Sequence, residues 1–435
     1  MSRIARRRLL KLSASGAVAA QVGGLAAPAI AQGGATVHWL RWADFVPASD
    51  VLLKGPITQE CKKATGITLK LETVNANDLQ SRITSAIQSG TGADIIMAIG
   101  NWPQLYAESL ADTSDLAEEL GKAGGGYYDI CKQVATFRDK WIGVPFTVGG
   151  GLIAYRKSWL AEAGADTFPE TWDKFREVGR KLKAKGRPIG QTAGHTFGDA
   201  PGWWYPFLWS HGGQEIAADG KTVALNSKET VESIKFAVAL WKETMDEGGL
   251  AWDDTNNNRA FLAQTISATN NGASIYIEAK KKPDTYLTEA GKPMWEDIRH
   301  APIPKGPGGQ FNLPGPFTDM LMGYSKNQQP AKDFLRWIHS KPVYDQWFVS
   351  QQGYTTGATK EWSKHKVWDV DPVLKPFHDL PEHGRLAGYA GPPDRKSAEV
   401  ISKYIIVDMY AKAIQGMAPE EAAKWAHSEA VKAYA

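Results

Sequence analysis

The 435-residue chain contains only two cysteines, Cys61 and Cys131. A fold held together by several disulfide bridges is therefore excluded. An oxidising compartment would allow the two residues to pair, and the alternative is a pair of buried free thiols, since both lie in apolar helical contexts. The sequence leaves these two alternatives open.

The chain also lacks a strong excess of one charge, with 50 Lys and Arg residues against 47 Asp and Glu. Five of the basic residues lie within residues 1–31, a segment without acidic residues, so its removal changes the net charge from +3 to −2. The remaining basic residues are interleaved with acidic ones, which argues against a surface for nucleic acid or for anionic membranes. We expect no nucleic-acid partner.

A second long apolar run of about 20 residues is absent after the amino-terminal segment. That segment, residues 1–31, has a basic start, a run of small apolar residues and the cleavage pattern Ala29-Ile30-Ala31, which is typical of a secretory signal. Arg6-Arg7-Arg8-Leu9-Leu10-Lys11 resembles the twin-arginine export motif, and an ordinary Sec signal is the alternative. We therefore predict a soluble periplasmic protein of 404 residues.

Common catalytic motifs are missing as well. Gly220-Lys221-Thr222 has Glu215 where a phosphate-binding loop needs its first glycine. The sequence contains neither the His-Glu-x-x-His pattern of zinc hydrolases nor the Gly-x-Ser-x-Gly pattern of serine hydrolases. Two distant carboxylates could still form a glycosidase site, so a carbohydrate-active enzyme stays an alternative. We expect a non-enzymatic protein without cofactor or metal.

The periodicity of apolar residues predicts an α/β fold. Strands at 37–42, 67–74 and 94–99 alternate with helices at 57–65 and from Asn77 to Gly90, an order that favours a parallel sheet. A comparable α/β series begins after Pro145. It is predicted to contain strands at 152–155, around Ile189 and at 320–324, and helices from Thr171 and at 227–247, 331–340, 398–415 and 419–435. At about 150 residues per domain, the mature chain is expected to form two lobes.

Seventeen tryptophans are far more than an ordinary share, and several fall in predicted loops. Sugars offer flat C–H patches to aromatic rings and hydroxyls to Asp, Asn, Glu and Arg. The predicted ligand-binding residues are Trp42, Asp44, Asn101, Trp102, Trp203, Trp204, Tyr205, Asn271, Glu278, Phe317, Asp319, Tyr354 and Arg395. For Arg395, which follows a proline-rich turn, a solvated arginine is the alternative. Four tryptophans at helical spacing are assigned to the core: Trp159, Trp172, Trp241 and Trp337.

The order of several motifs resembles extracellular solute-binding protein family 1, which includes maltose-binding protein. These motifs are Phe137-Arg138-Asp139-Lys140-Trp141-Ile142-Gly143-Val144-Pro145, Leu152-Ile153-Ala154-Tyr155, Phe168-Pro169-Glu170-Thr171-Trp172-Asp173, Ser210-His211-Gly212-Gly213, Leu225-Asn226-Ser227, Ser325-Lys326-Asn327 and Ala331-x-x-Phe334-Leu335. The chain departs from the family at Tyr155-Arg156, where Tyr-Asn is usual, and at Thr355-Thr356, where a proline is usual.

The resemblance implies a periplasmic-binding-protein-like fold of two discontinuous α/β lobes joined by crossing hinge strands. The predicted first lobe comprises residues 34–145 and 317–352, and the second comprises 146–316 and 353–435. The implied function is that of a monomeric receptor that closes on a carbohydrate and delivers it to the permease subunits of an ABC importer in the inner membrane.

A cationic solute, such as a polyamine or betaine, is the alternative ligand, because aromatic pockets with carboxylates also hold amines. Asp44, Glu278 and Asp319 could serve either ligand. Two or more unpaired acids beside an aromatic box would favour the cation.

Overall fold

The computed structural model describes residues 34–435, so the predicted signal and its cleavage site lie outside the described residues. The strands of the described chain are β1 (Thr36–Trp42), β2 (Thr68–Val74), β3 (Ile95–Ile99), β4 (Thr136–Phe137), β5 (Lys140–Trp141), β6 (Val144–Gly149), β7 (Leu152–Arg156), β8 (Ala268–Asn271), β9 (Ile298–Ala301), β10 (Gly315–Leu321) and β11 (Thr356–Gly357).

Helices cover the sheets and account for most of the remaining structure. The α-helices are α1 (Pro47–Leu52), α2 (Thr58–Thr65), α3 (Ala76–Ser89), α4 (Trp102–Tyr106), α5 (Ser114–Ala123), α6 (Asp129–Ala135), α7 (Lys157–Glu162), α8 (Trp172–Ala184), α9 (Asp199–Ser210), α10 (Lys228–Thr244), α11 (Asn256–Leu262), α12 (Ser274–Lys281), α13 (Gln328–Ile338), α14 (Lys341–Ser350), α15 (Val367–Val370), α16 (Leu380–His383), α17 (Arg395–Ser402), α18 (Ile405–Ile414) and α19 (Pro419–Tyr434).

Six strands form one sheet, called the large sheet here, in the order β11-β6-β10-β3-β1-β2. The first three strands pair in parallel, with β1 between β2 and β3, as the sequence predicts. Strand β10 is antiparallel to both β3 and β6, and β11 is antiparallel to β6. The sheet is therefore mixed, because distant parts of the chain return to it in the opposite direction.

Three strands form a second sheet, called the small sheet, in the order β8-β7-β9. Both of its pairings are antiparallel, so the sequence correctly predicts α/β structure here but not the strand direction. Ile189 contributes only an isolated bridge to Met245 instead of a strand. Pro188 and Gly190 flank it, and neither residue supports a ladder in the interior of a sheet.

The two sheets are joined where β6 continues through Gly150 into β7. The chain returns from β9 in the small sheet to β10 in the large sheet through residues 302–314. Strand β6 extends to Gly149, and β11 also joins the large sheet. Most of β6 lies beyond the predicted first-lobe limit at Pro145, and all of β11 lies beyond the limit at Gln352. The large sheet therefore includes residues assigned to the second lobe. The lobe boundaries themselves stay a prediction.

The main error in secondary structure concerns residues 199–210, which form helix α9 although a loop is expected there. Gly202 and two prolines suggest a loop from the sequence. Pro201 lies in the first turn, where a proline is tolerated, and Pro206 lies inside the helix. Apolar residues surround the helix axis on all sides, and a helix of this kind is stable only when it is buried.

Two helix boundaries also differ from the predictions. Asn75, not Asn77, caps α3, because its side chain accepts a hydrogen bond from the Asn77 amide at 2.9 Å. The helix predicted over 398–415 is interrupted between α17 and α18, where Tyr404 has a left-handed φ of 56°. This interruption turns the Tyr404 side chain toward the cleft described below.

Most of the core predictions are confirmed. Trp159, Trp172 and Trp241 are 1, 2 and 4% exposed, and Trp337 packs partly buried against the core. Cys61 and Cys131 are both buried free thiols, and burial raises the pKa of each. Within residues 34–435, no helix has both the length and the apolar character needed to cross a bilayer.

Candidate functional site

A cleft with a cavity volume of about 120 Å³ lies where the two sheets meet. Its floor is the connection from β6 to β7, and its walls come from both sheets and from the C-terminal helices. Seven aromatic residues line it: Trp42, Phe45, Trp102, Phe197, Phe317, Tyr354 and Tyr404. Polar side chains on the same walls include Gln80, Asn101, Thr196, Asp199, Asp254, Asn270 and Ser402.

The large sheet brings the first of these residues together. Trp42 is the last residue of β1, and Asn101 follows the end of β3 by two residues. Because β1 and β3 are parallel neighbours, their carboxyl ends meet at the same edge, where an open α/β sheet binds its ligands. The sequence pattern alone is therefore enough to place these two side chains near each other.

Asn101 connects this edge to the C-terminal part of the chain. Its Nδ2 donates a hydrogen bond to the Ala387 carbonyl oxygen at 3.0 Å and lies 3.3 Å from Ser397 Oγ. Asn101 is 2% exposed, so these bonds are shielded from water. The side chain thus links the large sheet to the segment that leads into α17.

Trp42 is the centre of the aromatic cluster. Its ring stacks on Phe317 at a centroid distance of 5.2 Å and faces Tyr354 at 6.4 Å. Phe45 and Phe197 meet it edge-on at 5.3 and 5.7 Å. Phe197 belongs to the segment before α9, on the side of the small sheet, so the cluster holds the two walls of the cleft together.

Glycines make the close packing of the cleft floor possible. A Cβ atom at Gly149 would lie 2.8 Å from the Phe317 ring, and one at Gly272 would lie 2.6 Å from the Tyr354 ring. A Cβ atom at Gly151 would lie 2.6 Å from the Asn270 amide oxygen. Any larger residue at these positions would displace a side chain that lines the cleft.

Two carboxylates face the same space. Asp254 accepts hydrogen bonds from the backbone amides of Asp199, at 2.9 Å, and Gly198, at 3.2 Å. Asn257 Nδ2 donates to Asp199 Oδ2 at 2.6 Å. Burial raises the pKa of both carboxyl groups, and the charge of Asp254 raises that of Asp199 further.

The negative charge extends to the aromatic wall. Burial raises the pKa of the Tyr354 hydroxyl well above its usual value, and the charges of Asp44, Asp199 and Asp254 add to that effect. The pKa of Tyr404 rises to about 12 through burial and the charge of Asp254. Two aromatic residues of the cleft therefore lie within the electrostatic range of its carboxylates.

Five of the predicted ligand-binding residues line the cleft: Trp42, Asn101, Trp102, Phe317 and Tyr354. They come from four separate parts of the sequence, and the fold brings them to one place. Their contact with a ligand stays a prediction.

Trp203, Trp204 and Tyr205 do not line the cleft, and their predicted location in an exposed loop is wrong. All three lie in α9 and are fully buried. Trp204 stacks on Tyr410 of α18 at 4.6 Å and is part of the core around the small sheet. The aromatic side chains serve here to attach α9 to the neighbouring helices.

Asp44 and Asp319 lie behind the cleft wall rather than on it. Asp44 accepts hydrogen bonds from Ser49 Oγ at 2.7 Å and Gln351 Nε2 at 2.8 Å. Asp319 accepts one from Trp39 Nε1 at 2.9 Å, and burial raises its pKa to about 7. Burial raises the pKa of both carboxyl groups, and the charge of the buried Arg41 guanidinium, 3.8 Å from Asp44 Oδ2, opposes that shift, so both acids interact with a cation behind the cleft wall.

The last three predicted residues have other positions. The Asn271 amide lies beside Asp199 and donates to Asn258 Oδ1 at 2.5 Å, so it supports the site from behind. Glu278 on α12 forms an ion pair of 2.5 Å with Lys282, the residue that follows the helix. Arg395 is exposed at the start of α17 and is not among the lining residues, so the structure favours a solvated arginine.

Sequence reasoning missed several lining residues: Phe45, Phe197, Asp199, Asp254, Asn270 and Tyr404. Asp199 and Asp254 are 55 positions apart, and each sits in a polar segment that reads as an ordinary turn. The available signal in the sequence is Phe197-Gly198-Asp199, where an aromatic residue and an acid lie on either side of a glycine. This pattern resembles the predicted loops that combine an aromatic residue with an acid.

Comparisons with known proteins agree with this architecture. A lactose-binding protein of Rhizobium radiobacter is 27% identical over 348 residues, which cover 77% of this chain and 77% of that protein. A solute-binding protein of an ABC transporter from Thermotoga lettingae, solved with α-D-tagatose, superposes with a TM-score of 0.77 at 20% identity, covering 92% of this chain and 100% of the other.

A solute-binding protein from Agrobacterium radiobacter K84, solved in complex with ribitol, gives a TM-score of 0.72 at 21% identity and covers 92% of this chain and 98% of that one. These likenesses confirm the periplasmic-binding-protein-like fold. The sequence also matches the family described as bacterial extracellular solute-binding protein over residues 48–344, more than half of the chain. The chain therefore belongs to the bacterial extracellular solute-binding protein family.

Proposed function

We propose that the protein is the receptor of an ABC importer and that it binds a carbohydrate in the cleft between the two sheets. Family membership supports the role of a receptor. The related protein from Rhizobium radiobacter is named for lactose, and the two superposed structures hold tagatose and ribitol. A sugar or polyol is therefore the ligand class that these relatives favour.

The composition of the cleft wall is the observation that carries the proposal. Aromatic rings such as Trp42 and Tyr354 suit the C–H faces of a sugar ring, whereas Asn101, Asp199 and Asn270 suit its hydroxyl groups. These side chains come from both sides of the cleft, so a single ligand can contact both at once. A ligand with this geometry stabilises the closed arrangement of the two sides.

The connections between the sheets support a closing motion. Gly149-Gly150-Gly151 lies in the crossing from β6 to β7, where small residues allow backbone rotation. The contact of Phe197 with Trp42 and the hydrogen bond from Asn101 to Ala387 span the cleft and would break on opening. Closure around a ligand would then present one fixed surface to the permease subunits.

The remaining parts of the proposal concern location and partners. We place the receptor in the periplasm as a monomer, exported by the twin-arginine route and delivering its ligand to the permease in the inner membrane. It performs no chemistry on the ligand. Mass spectrometry of a bound oligosaccharide after prolonged incubation should recover it unchanged, and hydrolysis products would contradict a pure binding role.

A thermal-shift screen tests the proposed ligand class. The mature protein is heated with neutral mono- and oligosaccharides, polyols, polyamines and betaines, because a ligand selective for the native state raises the melting temperature. We expect a carbohydrate to give the largest rise, and Trp42→Ala to reduce that rise at the same ligand concentration. A rise with polyamines or betaines alone would contradict the proposal.

A further inference from the structure

The charge of the cleft is not balanced. Among the described residues that line it are two carboxylates, Asp199 and Asp254, and no Lys, Arg or His. Among the groups that perturb the two carboxyl groups most, none is a cation. The acids face neutral partners and each other, an arrangement that costs free energy in the absence of a positive charge.

Asp254 has a structural role that explains part of this arrangement. It accepts the backbone amides of Gly198 and Asp199 at the start of α9, where a carboxylate also favours the helix dipole. Asp199 itself lies in the first turn of α9, where its charge also favours the helix dipole, but its side chain accepts no backbone amide among the described residues. Its carboxylate receives Asn257 Nδ2 and the Asn271 amide, both neutral donors, and the residue remains partly exposed to the cleft.

An unsatisfied acceptor provides an independent sign of a missing ligand. Asn270 is 1% exposed and lines the cleft, and its Oδ1 has no hydrogen-bond donor among the described residues. Buried amide oxygens are nearly always paired in native proteins. Asn257 Nδ2 contacts both Asp199 Oδ2, at 2.6 Å, and the Asn270 carbonyl oxygen, at 3.3 Å, so the two residues are neighbours.

This wall therefore offers acceptors and negative charge but few donors. A hydroxyl group supplies only one donor, whereas an ammonium group supplies three and carries the charge that the two acids lack. The ring of Tyr354 lies close enough to sense the charges of Asp199 and Asp254, and aromatic faces attract cations. The two carboxylates, the Asn270 amide oxygen and the Tyr354 ring therefore favour a protonated amine.

We propose that the ligand is a carbohydrate that carries a protonated amine, such as an amino sugar or amino alditol, and that Asp199, with Asn270 beside it, binds the ammonium group. This inference rests on the proposed function, since the aromatic residues still bind the sugar ring. It also assigns a specific role to Asp199, which sequence reasoning did not identify. A neutral sugar would leave the buried negative charge uncompensated.

Matched ligands isolate the contribution of the amine. Titration calorimetry compares N-methyl-D-glucamine with D-glucitol, D-glucosamine with D-glucose, and D-galactosamine with D-galactose. We expect at least one amine to bind about tenfold or more tightly than its neutral partner, as charge-assisted hydrogen bonds do. This measurement uses the unmodified mature protein, so it does not depend on the folding of any variant.

Substitutions then test the assignment to Asp199. Asp199→Asn should reduce the preference for the amine to nearly one, because the affinity for the amine should fall about tenfold more than the affinity for its neutral partner. Asp166→Asn is the matched control, because it removes the same charge from an exposed residue that neither lines the cleft nor perturbs its two carboxyl groups. It should keep the preference.

Stability gives a second readout for the same variant. Because the pKa of Asp199 is raised in the folded protein, its ionisation opposes folding at neutral pH, and Asp199→Asn should raise the melting temperature of the ligand-free protein. A structural acid would instead lose stability on substitution. A higher melting temperature together with loss of amine binding is the expected combination.

The outcomes separate this inference from the proposed function. Equal or tighter binding of the neutral partners, or binding of neutral sugars only, overturns the inference and leaves the carbohydrate receptor intact. An amine preference that Asp199→Asn does not alter overturns the assignment of the residue. Binding of choline, betaine or spermidine without any sugar-like ligand overturns both proposals.

Discussion

Replacing Trp204 by alanine tests the distinction between core and cleft tryptophans most directly. The indole is fully buried and packs against Tyr410 at 4.6 Å, Phe207 at 5.7 Å and Trp241 at 6.3 Å. Truncation leaves a cavity surrounded by rigid aromatic rings that cannot collapse into it easily. We expect the variant to be folded but clearly destabilised, with a cleft that keeps its shape.

The size of the effect follows from the buried area. A buried tryptophan removes about 150–250 Å² from water, which is worth about 4–6 kcal/mol at 25 cal/mol per Å². Measured Trp→Ala substitutions in cores cost about 3–5 kcal/mol, in agreement with this value. A loss of that size lowers the melting temperature by about 6–20 °C for a cooperative unit of 150–250 residues.

The assay combines thermal unfolding, followed by circular dichroism, with titration of a ligand identified in the screen. Trp204→Ala should melt far below the wild type but bind the ligand with an affinity within about tenfold at a temperature where it is folded. Trp42→Ala is the comparison, since Trp42 lines the cleft. A Trp204→Ala variant with unchanged melting temperature and lost binding would refute the assignment of α9 to the core.

Three further predictions concern the cleft, acid stability and export. Trp42→Ala should lose about 1–3 kcal/mol of ligand binding in titration calorimetry. Because Trp42 is 3% exposed and stacks on Phe317, the same variant should also have a lower melting temperature. An unchanged melting temperature would instead indicate that Trp42 lies in a loop and does not pack against the core. Burial lowers the pKa of His300 to about 4, below its value near 6.5 in an unfolded chain. The neutral imidazole therefore contributes its full share to the free energy of unfolding above pH 6.5, and this share is lost as the pH falls toward 4. Denaturant unfolding across this range should show a loss of about 3 kcal/mol that is missing from His300→Gln, and equal slopes in the two proteins would contradict the assignment. Replacing Arg6 and Arg7 by lysine should retain the precursor in the cytoplasm, as fractionation and immunoblotting would show, whereas normal export would indicate the Sec route.

Local order along the chain is sufficient to specify part of the fold and part of the cleft. Alternating apolar runs and capped helices identified β1, β2 and β3 with their parallel pairing, since short strand–helix–strand connections allow few arrangements. The same rule placed Trp42 and Asn101 at one edge of the large sheet, because carboxyl ends of parallel neighbours coincide. Helical spacing also assigned Trp159, Trp172 and Trp241 to the core correctly.

The polar residues of the cleft meet through long-range packing. Asp199 and Asp254 come together through a contact between distant segments, and no spacing in the sequence encodes that distance. The burial of Trp204 depends on neighbours such as Tyr410, more than 200 positions away, so a glycine- and proline-containing segment could be mistaken for a loop. Local patterns specify secondary structure, whereas the charge and shape of a cleft depend on long-range packing, which the local pattern does not determine.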